Sequence, residues 1–201
     1  MCLAEPSRAR GVTLLELIVF IVIVSTAVVG ILTALDVSNR LSADPMIQKQ
    51  ALAIAEALLE EVQLQPFTYC DPDDTQASTA QSASFGATGC SAAAGIEAMG
   101  PESNAPYGPV GGPETRTDPT KPFDNVNDYN GFSMGPGITD LTGTAITGLE
   151  KYSASVVVAN QAIAPILAPD VLLITVTVTG PSNTTVVLDG YRVRYAPNAL
   201  P

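Results

Sequence analysis

Histidine and tryptophan are both absent from the 201-residue chain. Without an imidazole, Ser-His-Asp and Cys-His catalysis are excluded, together with most zinc and haem sites. Positive charge is scarce: Lys+Arg is 9 against Asp+Glu 20, a formal net charge of −11. That balance argues against nucleic-acid binding, which needs basic patches to neutralise phosphates. Charged residues of either sign make up 14% of the chain, well below the roughly 25% of ordinary globular domains. Mean hydropathy is nevertheless +0.27, so apolar residues must be concentrated somewhere. The length fits one domain with an appendage, or at most two small domains.

The concentration is near the N-terminus. From Val12 to Leu35 the only charge is Glu16, and Leu17 to Leu35 is an uncharged run rich in Ile, Val and Leu. As a helix that run spans about 28 Å, close to the hydrocarbon thickness of a bilayer. It has no polar stripe, so lipid or protein must surround it on all sides. It is too long for a secretory signal core, and Asp36-Val37-Ser38-Asn39-Arg40 is not a small-residue cleavage site, so a retained anchor is expected. Arg8 and Arg10 precede the run and a largely acidic chain follows it. This bias keeps the N-terminus cytoplasmic and sends the C-terminal part across the membrane.

Glu16 is costly inside an apolar helix, by up to roughly 3 kcal/mol at mid-bilayer, and such a carboxylate is by default a functional candidate. It stands in Gly11-Val12-Thr13-Leu14-Leu15-Glu16, behind a short basic leader. This arrangement resembles the type IV prepilin family of pilins and type II secretion pseudopilins. The family pattern is Gly, a hydrophobic residue that is usually Phe, Thr, Leu, any residue, Glu and then about twenty apolar residues; here Val12 stands in the Phe position. The resemblance covers about the first 30 residues. It implies that a prepilin peptidase cuts between Gly11 and Val12, that the new amine of Val12 is N-methylated, and that Thr13, Leu14 and Glu16 take part in filament assembly. Glu16 would pair with the Val12 amine of a neighbouring subunit. A buried carboxylate does need a cationic partner, and the trimmed chain would begin with one. The alternative is an ordinary anchor whose Glu16 reaches the headgroups.

Beyond the run, Asp44-Pro45 reads as an N-cap followed by Pro at the first helical position, so either a kink at 42–45 or two abutting helices fits. From Pro45 to Leu64 an apolar stripe of Ile47, Ala51, Ile54, Ala55, Leu58 and Val62 predicts a half-buried helix, with Gln48, Lys49, Glu56, Glu60 and Gln63 mostly away from it. Pro66 ends it. A continuous helix over 12–64 would measure roughly 80 Å.

Residues 66–150 are irregular. The stretch 75–95 is small and polar, and 100–122 holds six Pro and four Gly, so surface loop or local disorder is expected unless something holds the segment down. With Cys2 lost in the leader, Cys70 and Cys90 remain, and an even pair in an exported chain reads as a disulfide worth about 3 kcal/mol by loop closure. The Asx-dense FDNVNDYNGF segment is not an EF-hand. Aligning Gly131 with the EF-hand glycine puts Val126 at the first ligand position and Gly137 where Glu belongs. Asp124 and Asp128 are candidates for a looser calcium site, and Asx turns with an aromatic anchor explain the segment equally well. No cofactor is otherwise expected.

Residues 152–159, 171–179 and 184–195 read as strands, the last two joined by a Gly180-Pro181-Ser182-Asn183 turn. Leu172, Ile174, Val176 and Val178 should face the 45–64 helix. In the last strand the apolar parity changes at Asp189-Gly190, which predicts a β-bulge, with Arg192 and Arg194 toward solvent or acidic neighbours. The stretches FDNVNDYNGF and TVTGPSNTTVVLDGYRVRYAPN are similar to minor pilins of the mannose-sensitive haemagglutinin (MSHA) pilus.

The expected fold is thus α+β and pilin-like: a leader over 1–11, an apolar helix half over 12–35, an amphipathic half over 36–65, a variable loop region over 66–150 and an antiparallel sheet over 151–201. The resemblance implies a non-enzymatic minor pilin-like subunit. Its partners would be other pilin or pseudopilin subunits through the N-terminal helix, prepilin peptidase and an inner-membrane assembly platform. It would sit in the bacterial inner membrane as a single-pass protein with a periplasmic C-terminal domain, then in an extracellular pilus. A minor pseudopilin of a type II secretion system is the first alternative, and a membrane-anchored extracytoplasmic binding domain the second. No nucleophile–base spacing points to an enzyme.

Overall fold

The computed structural model describes residues 13–103 and 105–201, with the side chains of 39–44 left aside. It divides into two units, one up to Pro45 and one over Met46–Pro201. The elements are a long helix α1 (Leu14–Leu64) and four strands, β1 (Ser133–Met134), β2 (Ser153–Asn160), β3 (Val171–Thr179) and β4 (Thr185–Val193). Pro45 lies inside α1, where it cannot donate the usual backbone bond. The strands form one antiparallel sheet in the order β1-β2-β3-β4. The fold is α+β, as its sequence periods indicate.

In the first unit every described side chain from Thr13 to Ser38 is exposed. The segment Leu14–Ser38 has a mean hydropathy of 2.8 and is long and apolar enough to cross a membrane. Its hydroxyls are satisfied locally. Ser25 donates to the Ile21 carbonyl at 2.6 Å, and Thr26 and Thr33 donate to carbonyls three and four residues back. The hydroxyls of Ser25, Thr26 and Thr33 are thereby folded onto the helix backbone, and between Glu16 and Asp36 the outer surface stays hydrocarbon.

In the second unit the stripe on α1 packs on the sheet. Ala51, Ala55, Leu58 and Val62 are buried with Ala154, Val156 and Val158 of β2 and Leu172, Ile174, Val176 and Val178 of β3. Each large apolar side chain so buried is worth about 1.5–3 kcal/mol. Gln48, Lys49, Glu56 and Glu60 stay exposed. Two polar clamps secure the helix from the side. Glu61 accepts the Arg116 guanidinium at 2.6 and 2.8 Å and the Tyr129 hydroxyl at 2.8 Å. Tyr152 donates its hydroxyl to Gln50 at 2.8 Å. Arg116 also donates to the Thr139 and Asp140 carbonyls, so this buried charge has every side satisfied.

β4 departs from the expectation of a bulge. Its register with β3 is unbroken, with Ile174 opposite Gly190 and Thr175 opposite Asp189. The residues turned toward the helix are Val186, Leu188, Gly190 and Arg192, whereas Val187 and Tyr191 are exposed. Gly190 interrupts the apolar pattern because α1 passes over it. A Cβ there would lie 2.5 Å from Gln63 Nε2 and 2.9 Å from Leu59 Cδ1. Both arginines turn inward, Arg194 to an acidic neighbour as expected and Arg192 to a backbone carbonyl instead. Arg192 donates to the Gln65 carbonyl at 3.0 Å, just past the helix C-terminus, where a cation is favoured. Arg194, with its side chain 8% exposed, stacks over Phe67 at 4.1 Å and Tyr69 at 4.8 Å and reaches Asp170 at 3.5 Å.

Candidate functional site

At the start of α1, Gly11 and Val12 lie outside the described residues. Thr13 immediately precedes the helix, and its hydroxyl accepts the Glu16 backbone N–H at 3.3 Å. Its carbonyl accepts the Leu17 N–H at 3.1 Å. Thr13 is therefore the N-cap, and Thr13-Leu14-Leu15-Glu16 has capping-box spacing. The same four residues that carry the family resemblance thus specify where the helix begins. Glu16 sits in the first turn, where the helix dipole favours a negative charge. Leu14 is exposed beside it.

The loop region is closed rather than loose. Cys70 and Cys90 are bonded, across 20 positions of sequence. Around them Ala77 and Ala80 form a small second core with Tyr69 and Ile96 packed against it. Small side chains in this stretch are what let the chain fold back on itself. Asp74 is the hub. Its carboxylate accepts the Gln76 N–H at 2.8 Å, the Ser91 N–H and hydroxyl at 3.1 and 2.7 Å, and the Tyr107 hydroxyl at 3.1 Å. Burial pushes this carboxyl up, but those donors outweigh it and hold it below the usual range. Asn198 pins the tail across the loop by donating to the Ala77 and Ala80 carbonyls.

Next to this well-satisfied acid lies a cluster of a different kind. Asp124 and Asp128 are flanked by Asp71, Glu97, Glu102 and Glu114, in overlapping trios whose carboxylate oxygens lie within 4.8 Å of one another. Asp128 is placed by a short helical turn over Val126–Tyr129, held by the Phe123, Tyr129 and Phe132 rings packed edge to face. One Asp128 oxygen accepts the Asp124 and Asn125 N–H groups at 3.0 and 2.7 Å. Its other oxygen is buried without a partner, as are both oxygens of Glu97 and Glu114 and one each of Asp71, Glu102 and Asp124. Lys121 is nearby, but its Nζ is bonded to Asp73 and the Pro106 carbonyl. Burial, reinforced by the neighbouring acids, pushes Asp71 and Asp124 up to about 7, Glu114 to about 9 and Asp128 to about 10, and raises Glu97; burial alone raises Glu102, whose contact with Asp128 works the other way. The donor set is all carboxylate oxygen, the chemistry that hard divalent cations take.

The sequence names Asp124 and Asp128 but not their four companions, which come from 71, 97–102 and 114. A signal was available. Residues 66–150 contain eleven acids and two bases, an imbalance that a compact loop region must resolve internally. A separate apolar groove of about 630 Å³ runs beside α1, lined by Ile54, Leu58, Met134, Ile138 and Leu149. Of its charged members, Glu61 and Arg116 neutralise one another, and Asp140 turns its carboxylate to the Thr142 and Thr144 N–H groups.

Comparison of the chain with protein-family models, with curated proteins and with solved structures finds no match.

Proposed function

We propose that this chain is a minor pilin-like subunit of a type IV filament of the MSHA kind, trimmed by a prepilin peptidase between Gly11 and Val12. It is held in the inner membrane by Leu14–Ser38 with the Met46–Pro201 domain in the periplasm, and is then assembled into an extracellular pilus. The observation that carries this reading is the pairing of two features in one helix. A run of exposed hydrocarbon needs a partner along its whole length, and a single acid, Glu16, stands near its start. Lipid can cover the hydrocarbon, but its acyl interior offers Glu16 no cation at a fixed position. A neighbouring subunit can cover both, because its own α-amino group at Val12 would lie close to the equivalent depth. The small α+β domain then decorates the filament surface, and the chain needs no catalytic residues to do this work.

Mass spectrometry of the membrane-extracted protein tests the trimming step. The expected N-terminus is N-methylated Val12. A chain still beginning at Met1 in cells with active prepilin peptidase would refute the reading.

A further inference from the structure

We propose that the carboxylates of Asp71, Glu97, Glu102, Glu114, Asp124 and Asp128 form a calcium-binding centre in the loop region. Acidic residues often gather on surfaces with no such meaning, so the weight falls on burial and on missing donors. Glu114 is 1% exposed, and neither of its carboxylate oxygens has a hydrogen-bond partner. It nonetheless points into the cluster, sharing one trio with Asp71 and Glu102 and another with Asp124 and Asp128. Asp71 and Asp128 are fully buried, each with one unpartnered oxygen. A buried carboxylate without donors costs several kcal/mol, and like charges at this separation add to the cost. Asp74 shows how this chain satisfies a buried acid when hydrogen bonds are the intended solution: four donating groups converge on it. The neighbouring cluster has acids without those donors.

The chemistry of the donors selects the cation. The chain has no histidine, and the cysteines among the described residues, Cys70 and Cys90, are consumed in the disulfide, so soft and borderline metals lack their usual ligands around the cluster. What remains is a set of carboxylates, mono- or bidentate, on irregular backbone. Calcium takes six to eight such oxygens at about 2.3–2.6 Å with tolerant geometry, whereas magnesium demands a near-ideal octahedron and keeps its waters. The ligands come from four separate stretches: the turn after Cys70, the 97–102 segment, the Pro/Gly-rich segment at Glu114, and the Asp124–Asp128 turn. One ion would therefore tie the carboxylates of the disulfide-bonded loop to those of the aromatic turn that packs on the sheet, adding to the Gly100 N–H bond to the Asn127 carbonyl and the Asn125 amide bond to Thr68 that already join these segments. The inference rests on these residues alone and stands whether or not the chain enters a filament.

The test uses the full chain in detergent, stripped with EDTA and then transferred to metal-free buffer. Calcium chloride alone is titrated in by calorimetry, and thermal unfolding is followed with and without it. The expected result is saturable binding and a higher unfolding temperature with calcium, with a smaller response to magnesium at equal concentration. Glu114→Gln and Asp128→Asn should each weaken calcium binding by at least about tenfold, since ligand charge count sets affinity. Glu114→Gln puts a neutral amide of the same shape in place of a buried carboxyl that has no hydrogen-bond partner, so the metal-free variant should unfold no earlier than the metal-free parent while losing the calcium increment. Glu150→Gln, an exposed acid of the same region, should bind calcium normally. Absence of both heat and a thermal shift in the parent chain at about 1 mM calcium, near the weak end for extracellular sites, would overturn the proposal. So would unchanged affinity in a folded Glu114→Gln, or an equal response to magnesium. If neither ligand variant folds, the titration of the parent chain decides alone.

Discussion

The two halves of α1 use nearly the same side chains to opposite ends. Over Leu14–Ser38 leucine, isoleucine and valine are exposed on every face. Over Met46–Leu64 most of the same residue types turn to the sheet: Leu58 and Val62 are buried with Ile47, Ile54 and Leu59 packed against them, and Met46, Leu52 and Leu64 are exposed along with Lys49, Glu56 and Glu60. Periodicity separates the cases. Where apolar residues recur at helical spacing, the chain supplies its own cover; where they are continuous, the cover must come from outside. The second half also carries a charge, Glu61, that meets Arg116 and Tyr129 within the domain. The first half carries Glu16, which sits exposed in the first turn.

The comparison can be broken most forcefully at these acids. Glu61→Ala leaves the Arg116 guanidinium, only 7% exposed in its side chain, without its carboxylate. The expected loss is about 3–5 kcal/mol in denaturant unfolding of the domain, the usual cost of orphaning a buried charge. A loss under about 1 kcal/mol, the level of a surface ion pair, would show that the clamp is dispensable. The next test places one substitution in both halves. Leu58→Ala should cost about 2–5 kcal/mol, because it opens a cavity between helix and sheet. Leu32→Ala, in detergent, should leave domain unfolding within about 0.5 kcal/mol of the parent. Equal effects would erase the distinction. Among the substitutions expected to destabilise the domain, the smallest effect is at Gly190→Ala. The new methyl meets the tips of Leu59 and Gln63, which can yield, so about 1 kcal/mol should be lost. A gain in stability there would mean that the helix does not press on β4 as the structure describes.

Much of this was legible from local pattern. The apolar run, the Ile47-to-Val62 stripe, the alternation in β3 and the Cys70–Cys90 pair each follow from a period or a count, and each depends on residues near one another in sequence. The misread features depend on distant ones. Gly190 looks like a bulge until the helix over it is seen, and Arg192 looks like a solvent-facing charge until the open Gln65 carbonyl, 127 positions away, appears beneath it. The acidic cluster draws on four stretches of an irregular region where no period exists to reveal it. Asp124 and Asp128 were visible because they sit close together in an Asx-rich turn. Glu114, buried in a Pro/Gly-rich stretch, had no local mark. Thr13 illustrates a third situation. Its role in a motif and its role as helix cap are carried by the same side chain, and sequence reading alone had assigned only the first.

The central claim is that the uncovered half of α1 is completed by other subunits, with Glu16 neutralised between them. The most direct measurement is the amount of this protein in sheared filaments from cells carrying the parent chain or Glu16→Ala, normalised to the membrane fraction. The account predicts that the variant inserts normally in the membrane and is lost from the filaments. Equal amounts of parent and variant in the filament fraction would contradict it.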